Sequence, residues 1–249
     1  MKITIKDTNI NYIRYGDIKK DTIVLLHGWG QNIEMMRPLG DAREKNNDVI
    51  IVDLPGFGES EEPKYAWNVI DYVECIKELL DKLKVKNPTL IGHSFGGKVS
   101  LLYASIYKVK KLILFGSPYK QAIKKLSLKT KVLKTAKKIP GLNKLEGFAK
   151  KHIGSTDYKN ASPLMREIMV NTVNDDITES VKKITCPTLI VWGDLDDQVP
   201  VEDAYELETL IKDAGVVLYE GCTHYAYLER LKQTINVMNS FLGEWNYEY

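Results

Sequence analysis

The sequence lacks the features that mark membrane-spanning, secreted or zinc-binding proteins. No run approaches the roughly 20 apolar residues that a membrane-spanning helix needs, and the N-terminus alternates like a strand, with no apolar signal-peptide core. The 3 cysteines, Cys75, Cys186 and Cys222, lie far apart and form no Cys-x-x-Cys motif. Neither a disulfide framework nor a zinc site is therefore predicted. We expect a protein of the reducing cytoplasm that holds no metal.

A dinucleotide-binding fingerprint is missing as well. The glycines at positions 92, 96 and 97 do not have the Gly-x-Gly-x-x-Gly spacing, and Gly28 and Gly30 have no third glycine at the required distance. We therefore expect no cofactor. What remains is a chain of 249 residues, 44% hydrophobic and 27% charged, which is typical of a globular protein with one sizeable core.

The net charge of +2 conceals a strongly basic segment. Residues 118–152, called the lysine-rich segment below, contain 11 lysines and a single acidic residue, Glu146. Three explanations fit this pattern. The lysines could form a solvated helical face, they could steer an acidic substrate or carrier to the site, or Lys120–Ile139 could be a basic amphipathic helix that contacts an anionic membrane. Nucleic-acid binding is disfavoured, because no aromatic residue interrupts the basic run between Gln121 and Gly147.

Strand-like and helix-like segments alternate through most of the chain, which predicts an α/β fold with a mostly parallel, twisted sheet flanked by helices. After an opening hairpin (Ile3–Ile5 and Ile10–Tyr15), the predicted strands are Thr22–Leu26, Val49–Val52, Thr89–Ile91, Lys111–Phe115, Thr188–Trp192 and Val216–Tyr219. The predicted helices are Met35–Lys45, Asn68–Leu83, Lys98–Tyr107, Val201–Lys212 and Leu231–Leu242.

Residues 117–185 interrupt this alternation. They contain no convincing strand, their apolar residues recur at helical spacing, and Pro140-Gly141 and Ser162-Pro163 divide them. The sequence therefore predicts a core of residues 1–116 and 186–249, with residues 117–185 inserted between two strands as a helical cap over the carboxyl edge of the sheet.

The most informative motif is Gly-His-Ser-Phe-Gly at residues 92–96, between a predicted strand and a predicted helix. In this context Gly-x-Ser-x-Gly forms a nucleophile elbow, a turn so tight that glycines must flank the serine. The hydroxyl of Ser94 is then exposed beside a helix N-terminus, which favours developing negative charge. Ser94 is the predicted nucleophile.

A serine nucleophile needs a base and an acid that orients the base. Of the 4 histidines, His224 follows the last predicted strand and lies at the same sheet edge as Ser94. The loop after Thr188–Trp192 offers three aspartates, of which we predict Asp196 as the orienting acid. Asp194, beside a glycine turn, is the alternative.

An oxyanion needs two main-chain donors. One is predicted at the N–H of Phe95, directly after the nucleophile. The other is predicted at Trp29, in the His-Gly-Trp-Gly loop that follows the strand Thr22–Leu26. A plain glycine turn accounts for Gly28 and Gly30, but not for the position of this loop where a second donor is required.

Together these motifs resemble the α/β-hydrolase superfamily, in its compact, cofactor-free serine esterase and C–C hydrolase type. The resemblance extends over residues 27–224. Its pieces are His27-Gly28-Trp29-Gly30, Asp53-Leu54-Pro55-Gly56-Phe57-Gly58-Glu59-Ser60, Gly92-His93-Ser94-Phe95-Gly96-Gly97, Gly193-Asp194-Leu195-Asp196 with Pro200, and Gly221-Cys222-Thr223-His224. It implies the order Ser, Asp, His for the triad and a scaffolding role for Asp53. Dehalogenases and epoxide hydrolases of this fold carry an aspartate where this chain has Ser94.

The resemblance implies a carboxylesterase that cleaves a small or medium acyl ester through an acyl-enzyme. A C–C hydrolase acting on a diketone-type substrate with the same triad is one alternative, and a non-catalytic ligand-binding member of the fold is another. The layout and the residues 27–32 are also similar to biotin-pathway esterases that act on pimeloyl-carrier-protein methyl esters. That similarity makes an acidic acyl carrier protein a candidate partner for the lysine-rich segment.

Overall fold

The structure is a computed structural model in which residues 1–121 and 161–243 are described. Within these residues, eight strands form one sheet in the order β1-β2-β4-β3-β5-β6-β7-β8. The strands are β1 (Lys2–Ile5), β2 (Thr8–Gly16), β3 (Thr22–Leu26), β4 (Asp48–Val52), β5 (Thr89–His93), β6 (Lys111–Phe115), β7 (Thr188–Gly193) and β8 (Ala214–Tyr219). The strand β2 pairs antiparallel with β1 and β4, and the pairs from β4 through β8 are parallel. The mostly parallel sheet predicted from the sequence is confirmed.

The helices are α1 (Ile33–Asp41), α2 (Val69–Lys82), α3 (Phe95–Ile106), α4 (Pro163–Asn174), α5 (Thr178–Val181), α6 (Glu202–Leu210), α7 (Ala226–Glu229) and α8 (Leu231–Leu242). The helix α2 begins with a full capping box between Asn68 and Asp71, which pairs amides that the first turn leaves free. The helix α3 begins at Phe95, three residues before the predicted start, because the elbow leads directly into it. The short helix α7 was not predicted.

The central strands are buried on both faces, and their alternating side chains feed two apolar cores. One core packs Val24, Ile50 and Leu90 against α2 and α3. The other packs Ile23, Val49 and Ile91 against α1 and α8. The sheet therefore has helices on both sides, and its carboxyl edge is left for the loops that carry the predicted site residues.

The chain between β6 and β7 contains α4 and α5, while residues 122–160, with most of the lysine-rich segment, lie outside the described residues. The described ends of this stretch are joined to each other, since the Ile177 amide donates to the Tyr119 carbonyl at 2.9 Å. Lys120 forms ion pairs of 2.8 Å with both Asp203 and Glu206 on α6, so its charge is compensated inside the molecule. Across the described ranges, every helix is too short or too polar to cross a bilayer.

Candidate active site

Ser94 occupies a strained turn between β5 and α3. Its backbone has φ 50° and ψ −116°, a left-handed conformation that costs a non-glycine residue on the order of 1–3 kcal/mol. A Cβ at Gly92 would lie 2.6 Å from main-chain atoms of Gly97, and one at Gly96 would lie 2.2 Å from the Leu26 carbonyl oxygen. Both flanking positions therefore require glycine, and Ser94 is held half-exposed at the sheet edge.

His224 and Asp196 form a hydrogen-bonded pair beside this turn. His224 Nδ1 lies 2.7 Å from Asp196 Oδ2, and both side chains are buried. The other carboxylate oxygen, Oδ1, accepts the amides of Gln198 and Val199, each at 2.9 Å. Since each oxygen of Asp196 has its own partners, the carboxylate is fixed in the orientation that receives the histidine N–H.

Asp194, the alternative acid, points elsewhere. Its Oδ1 accepts the Gly221 amide at 2.7 Å and thereby shapes the turn after β8. The structure thus brings Asp196, and not Asp194, to His224.

The strand β6 ends where Ser94 and His224 converge. The Ser94 amide donates to the Phe115 carbonyl at 2.9 Å, and the next residue, Gly116, has φ +50°. A Cβ on Gly116 would lie 3.0 Å from His224 Nδ1 and 3.2 Å from Asp196 Oδ2. Gly116 therefore makes room for the hydrogen-bonded pair of His224 and Asp196. Within the described part of the chain, the Ser94 hydroxyl has no hydrogen bond to His224.

The loop that carries His224 is held on two sides. The Leu195 amide donates to the Cys222 carbonyl at 2.9 Å, which joins the loops after β7 and β8. Glu229 on α7 accepts the Thr223 amide at 2.9 Å and also the Thr223 hydroxyl. The unpredicted helix α7 thus anchors the residue directly before the histidine.

Trp29 and Phe95, which carry the two predicted oxyanion donors, have side chains in contact. The rings of Trp29 and Phe95 are in edge contact, with centroids 5.4 Å apart, and Phe57 packs on the other side of Trp29 at 4.8 Å. The Gly28 amide donates to Gln31 Oε1 at 3.0 Å, which shapes the loop. Among the described residues, the Trp29 and Phe95 amides donate to no acceptor, so both remain able to bind a ligand oxygen.

The remaining two described histidines are buried and neutral. His27 accepts the Leu54 amide at Nε2, 3.0 Å away, and burial lowers its pKa to about 4. Burial lowers the pKa of His93 to about 3, with a smaller contribution from His224 nearby. Neither ring is placed as the base for Ser94.

Asp53 has the scaffolding role predicted for it. The carboxylate is buried and accepts the Ile33 amide at 2.7 Å, the Glu59 amide at 2.9 Å and the Asn11 side-chain amide at 2.8 Å. It therefore ties the start of α1 and the loop after β4 to β2.

Between residues 161 and 185, α4 packs onto the core beside the site. Met165 contacts the Gly56 turn so closely that a Cβ there would lie 2.4 Å from the methionine Sδ. Lys98, one turn after Ser94, is buried and donates to the Thr172 and Asp175 carbonyls at 2.8 and 2.5 Å. Burial lowers the pKa of Lys98 to about 8.

Gly116, Gln31 and Lys98 were missed by the sequence reasoning. Gly116 directly follows a predicted strand, so it lies at the same sheet edge as the other predicted site residues, and this position could have identified it. Gln31 and Lys98 act through contacts with distant loops, which a single sequence does not display. Over residues 1–121 and 161–243, no three His, Cys, Asp or Glu side chains are grouped as metal ligands.

Comparison with known families agrees with the geometry of the fold. A family model described as alpha/beta hydrolase fold matches residues 21–149, just over half of the chain. The chain therefore belongs to the alpha/beta hydrolase family.

Relatives extend this likeness over nearly the whole length. The chain is 25% identical over 246 residues to the pimeloyl-[acyl-carrier protein] methyl ester esterase of Aliivibrio fischeri, covering 89% of this chain and 93% of that protein. It is 26% identical over 255 residues to the 2-hydroxy-6-oxononadienedioate/2-hydroxy-6-oxononatrienedioate hydrolase of Paraburkholderia phymatum, covering 90% of this chain and 88% of that protein. The bromoperoxidase structure from Bacillus anthracis superposes with a TM-score of 0.76 at 24% identity, covering 95% of this chain and 96% of that one, and it shows the shared fold. With relatives of these kinds, the chain is a hydrolase of the alpha/beta fold.

Proposed function

We propose that this hydrolase is a serine carboxylesterase that cleaves a small or medium acyl ester. Ser94 is the nucleophile, His224 the general base and Asp196 the residue that orients the base. The observation that carries the proposal is the 2.7 Å hydrogen bond from His224 Nδ1 to the buried Asp196 carboxylate, set beside a serine in an elbow turn. This bond fixes the ring and stabilises the imidazolium that forms when His224 takes a proton.

The proposed mechanism has two steps. His224 takes the Ser94 proton as the serine oxygen bonds to the ester carbonyl carbon, and the oxyanion is bound by the Trp29 and Phe95 amides. The C–O bond to the alcohol then breaks, and His224 returns the proton to the leaving alcohol. In the second step, His224 takes a proton from water as the water oxygen bonds to the acyl carbon. The C–O bond to Ser94 then breaks, and His224 returns the proton to the serine oxygen, which frees the acid and restores the enzyme.

Residues 117–185 are proposed to form the cap over this site. In support, α4 contacts the loop at Gly56 through Met165, and its end is held by Lys98 on the nucleophile helix. The aromatic side chains of Trp29, Phe57 and Phe95 supply the apolar wall at the site. An acyl chain would lie between this wall and the cap.

The test is hydrolysis of p-nitrophenyl esters from acetate to palmitate by the wild type and by Ser94→Ala. We expect activity that Ser94→Ala abolishes, with the preferred chain length reporting the size of the acyl pocket. Activity that persists in a folded Ser94→Ala protein would contradict the proposal.

A second candidate is hydrolysis of a C–C bond by the same residues. One relative is named for a 2-hydroxy-6-oxo dienedioate, a vinylogous diketone whose carbonyl a serine can attack. The test is incubation of the wild type with a 2-hydroxy-6-oxo dienoate. If the absorbance of this substrate disappears while simple esters are not hydrolysed, the C–C hydrolase is favoured over the esterase.

The esterase proposal extends to an acidic acyl carrier protein as the partner that presents the acyl ester, with the alcohol as the leaving group and the acid product still on the carrier. One relative is named as an esterase of an acyl-carrier-protein ester, and the lysine-rich segment carries 11 lysines against one acidic residue. Electrostatic steering weakens with salt, so kcat/KM on a carrier-bound ester should fall with ionic strength more steeply than on a neutral ester. Equal salt dependence would exclude the carrier, and co-sedimentation with anionic liposomes would favour a membrane instead.

A further inference from the structure

His93 lies at the point where three loops of the site meet. It directly precedes Ser94, its Nε2 lies 3.0 Å from the main-chain oxygen of His224, and its Nδ1 lies 3.2 Å from Gln31 Oε1. The same Gln31 oxygen accepts the Gly28 amide at 3.0 Å. One fully buried side chain thus touches the loop of the base and the loop of the oxyanion donor.

The protonation of the ring follows from its partners. A neutral imidazole has one N–H, and both oxygens that face the ring, the His224 carbonyl and Gln31 Oε1, can only accept. The contact with the His224 carbonyl is the shorter, at 3.0 against 3.2 Å, and Nδ1 makes no hydrogen bond to Gln31. Nε2 therefore carries the proton and donates to His224. Burial keeps the ring neutral, with the pKa of His93 lowered to about 3. A neutral ring adds no positive charge beside His224, 4.8 Å away between ring centroids, when His224 itself becomes charged.

This arrangement has a consequence for the chemistry proposed above, on which the inference rests. We propose that His93 is a positioning residue whose Nε2–H holds the main chain of the base His224. No other described side chain donates a hydrogen bond to the His224 carbonyl. Loss of the His93 donor would therefore leave that carbonyl unpaired and the base free to shift.

The expected effect is on reaction rate and not on binding. A displacement of about 1 Å can slow a reaction about 100-fold, so removing the donor should slow proton transfer from Ser94 by about 10- to 100-fold. Glutamine places an amide N–H close to where histidine has Nε2, so His93→Gln should restore most of the rate. His93→Leu has the bulk without the donor, and His93→Asn has an amide too short to reach His224.

The experiment measures labelling of the wild type and these variants by a fluorophosphonate, which needs no knowledge of the natural ester. In the labelling step the Ser94 oxygen bonds to phosphorus, fluoride leaves, and the serine proton passes to His224. Rates are followed by intact-protein mass spectrometry across reagent concentrations, with Ser94→Ala as the blank. Circular dichroism and thermal unfolding establish that each variant is folded.

The inference predicts that His93→Leu and His93→Asn lower the maximal labelling rate at least 10-fold, with the half-saturating reagent concentration within twofold of wild type. His93→Gln should label within about threefold of wild type. If His93→Leu does not fold, the comparison of His93→Asn with His93→Gln decides the question. Folded variants that all label at the wild-type rate, or a His93→Gln protein as slow as His93→Asn, would overturn the inference alone. A wild type that is never labelled at Ser94 would overturn the proposed function, and this inference with it.

Discussion

Asp196 and Asp194 lie in one loop after β7, yet their carboxylates have different partners. Asp196 receives the His224 N–H and two main-chain amides, whereas Asp194 receives the Gly221 amide at the surface. The choice between them depends on how the loop bends back after Gly193. A Cβ there would lie 2.2 Å from the Cys222 carbonyl oxygen, so the loops after β7 and β8 are pressed together at that residue.

Replacing each aspartate by asparagine separates the two roles. Asp196→Asn should lower kcat on the best p-nitrophenyl ester about 10³- to 10⁴-fold, because an amide in that place favours the wrong histidine tautomer. Asp194→Asn keeps an acceptor for Gly221 and serves as the matched control, with kcat little changed. Comparable losses in the two variants would contradict the assignment of Asp196.

His27 gives the fold a defined sensitivity to acid. Its pKa is about 4 in the folded chain, against about 6.5 for an exposed histidine. Below about pH 6.5, His27 binds a proton in the unfolded chain but stays neutral in the folded chain. The contribution of His27 to the free energy of unfolding is therefore fully present above that pH and is lost as the pH falls toward 4.

His27→Gln removes this titration while leaving an acceptor for the Leu54 amide. Between pH 6 and 5, the free energy of unfolding of the wild type should fall more steeply than that of His27→Gln, by up to about 1.4 kcal/mol per pH unit. Urea unfolding at each pH measures the two slopes. Parallel slopes would show that His27 is protonated in the folded state.

At the scale of elements, the site depends on how β6 ends. The strand passes beneath both Ser94 and the His224–Asp196 pair, and Gly116 is the residue at which these groups come closest. Glycine is suited to this position for two reasons: its backbone has a positive φ, and His224 and Asp196 lie where a side chain would be.

Gly116→Ala should therefore impair catalysis more than stability. The added methyl would press on His224 Nδ1 at 3.0 Å and on Asp196 Oδ2 at 3.2 Å, and we expect kcat to fall by at least about 10-fold. Gly215→Ala in β8 is the matched control, because no atom lies within 4 Å of its Cβ. Equal kcat values for the two variants would contradict the crowding at Gly116.

The contact between α3 and α4 depends on one buried cation. Lys98 donates to two carbonyls at the C-terminal end of α4, where the helix dipole also favours a positive charge. The helix α3 and the described part of residues 117–185 are thereby joined one turn beyond Ser94.

Lys98→Met should lower the free energy of unfolding by about 2 kcal/mol. Both carbonyls lose a charged donor, and this loss is only partly offset because methionine brings no charge to be buried. Lys108→Met, at an exposed position, is the control for loss of a surface charge. Urea midpoints that coincide for the two variants would show that the Lys98 contacts contribute nothing to stability.

For the whole molecule, the order of strands and helices could be predicted because each central strand is apolar on both faces and each helix has its own periodicity. The strands β3 and β6 and the helix α8 have the predicted bounds. The start of α3 and the helix α7 could not be placed this way. The first is set by the elbow at Ser94, and the second is a four-residue helix whose Glu229 holds Thr223.

The same distinction holds for the site. The sequence could suggest candidate roles for Ser94, Phe95 and Trp29, since each lies within three residues of the end of a strand. The contacts of His93 and Gly116 with His224 join segments more than 100 residues apart, and they become visible when the sheet is assembled. Residues 117–185 are the cap proposed above, and residues 122–160 of it lie outside the described residues.

The proposed esterase reaction passes through a covalent acyl-enzyme at Ser94. The most direct measurement is peptide mass mapping of the trapped enzyme. Wild type is mixed with p-nitrophenyl acetate, or with the best ester of the panel, and the reaction is quenched with acid during the first turnovers. We expect one added acyl group on the peptide that contains Ser94, and none in Ser94→Ala. Hydrolysis that proceeds with no acyl group on Ser94, or with the group on another residue, would contradict the proposed reaction.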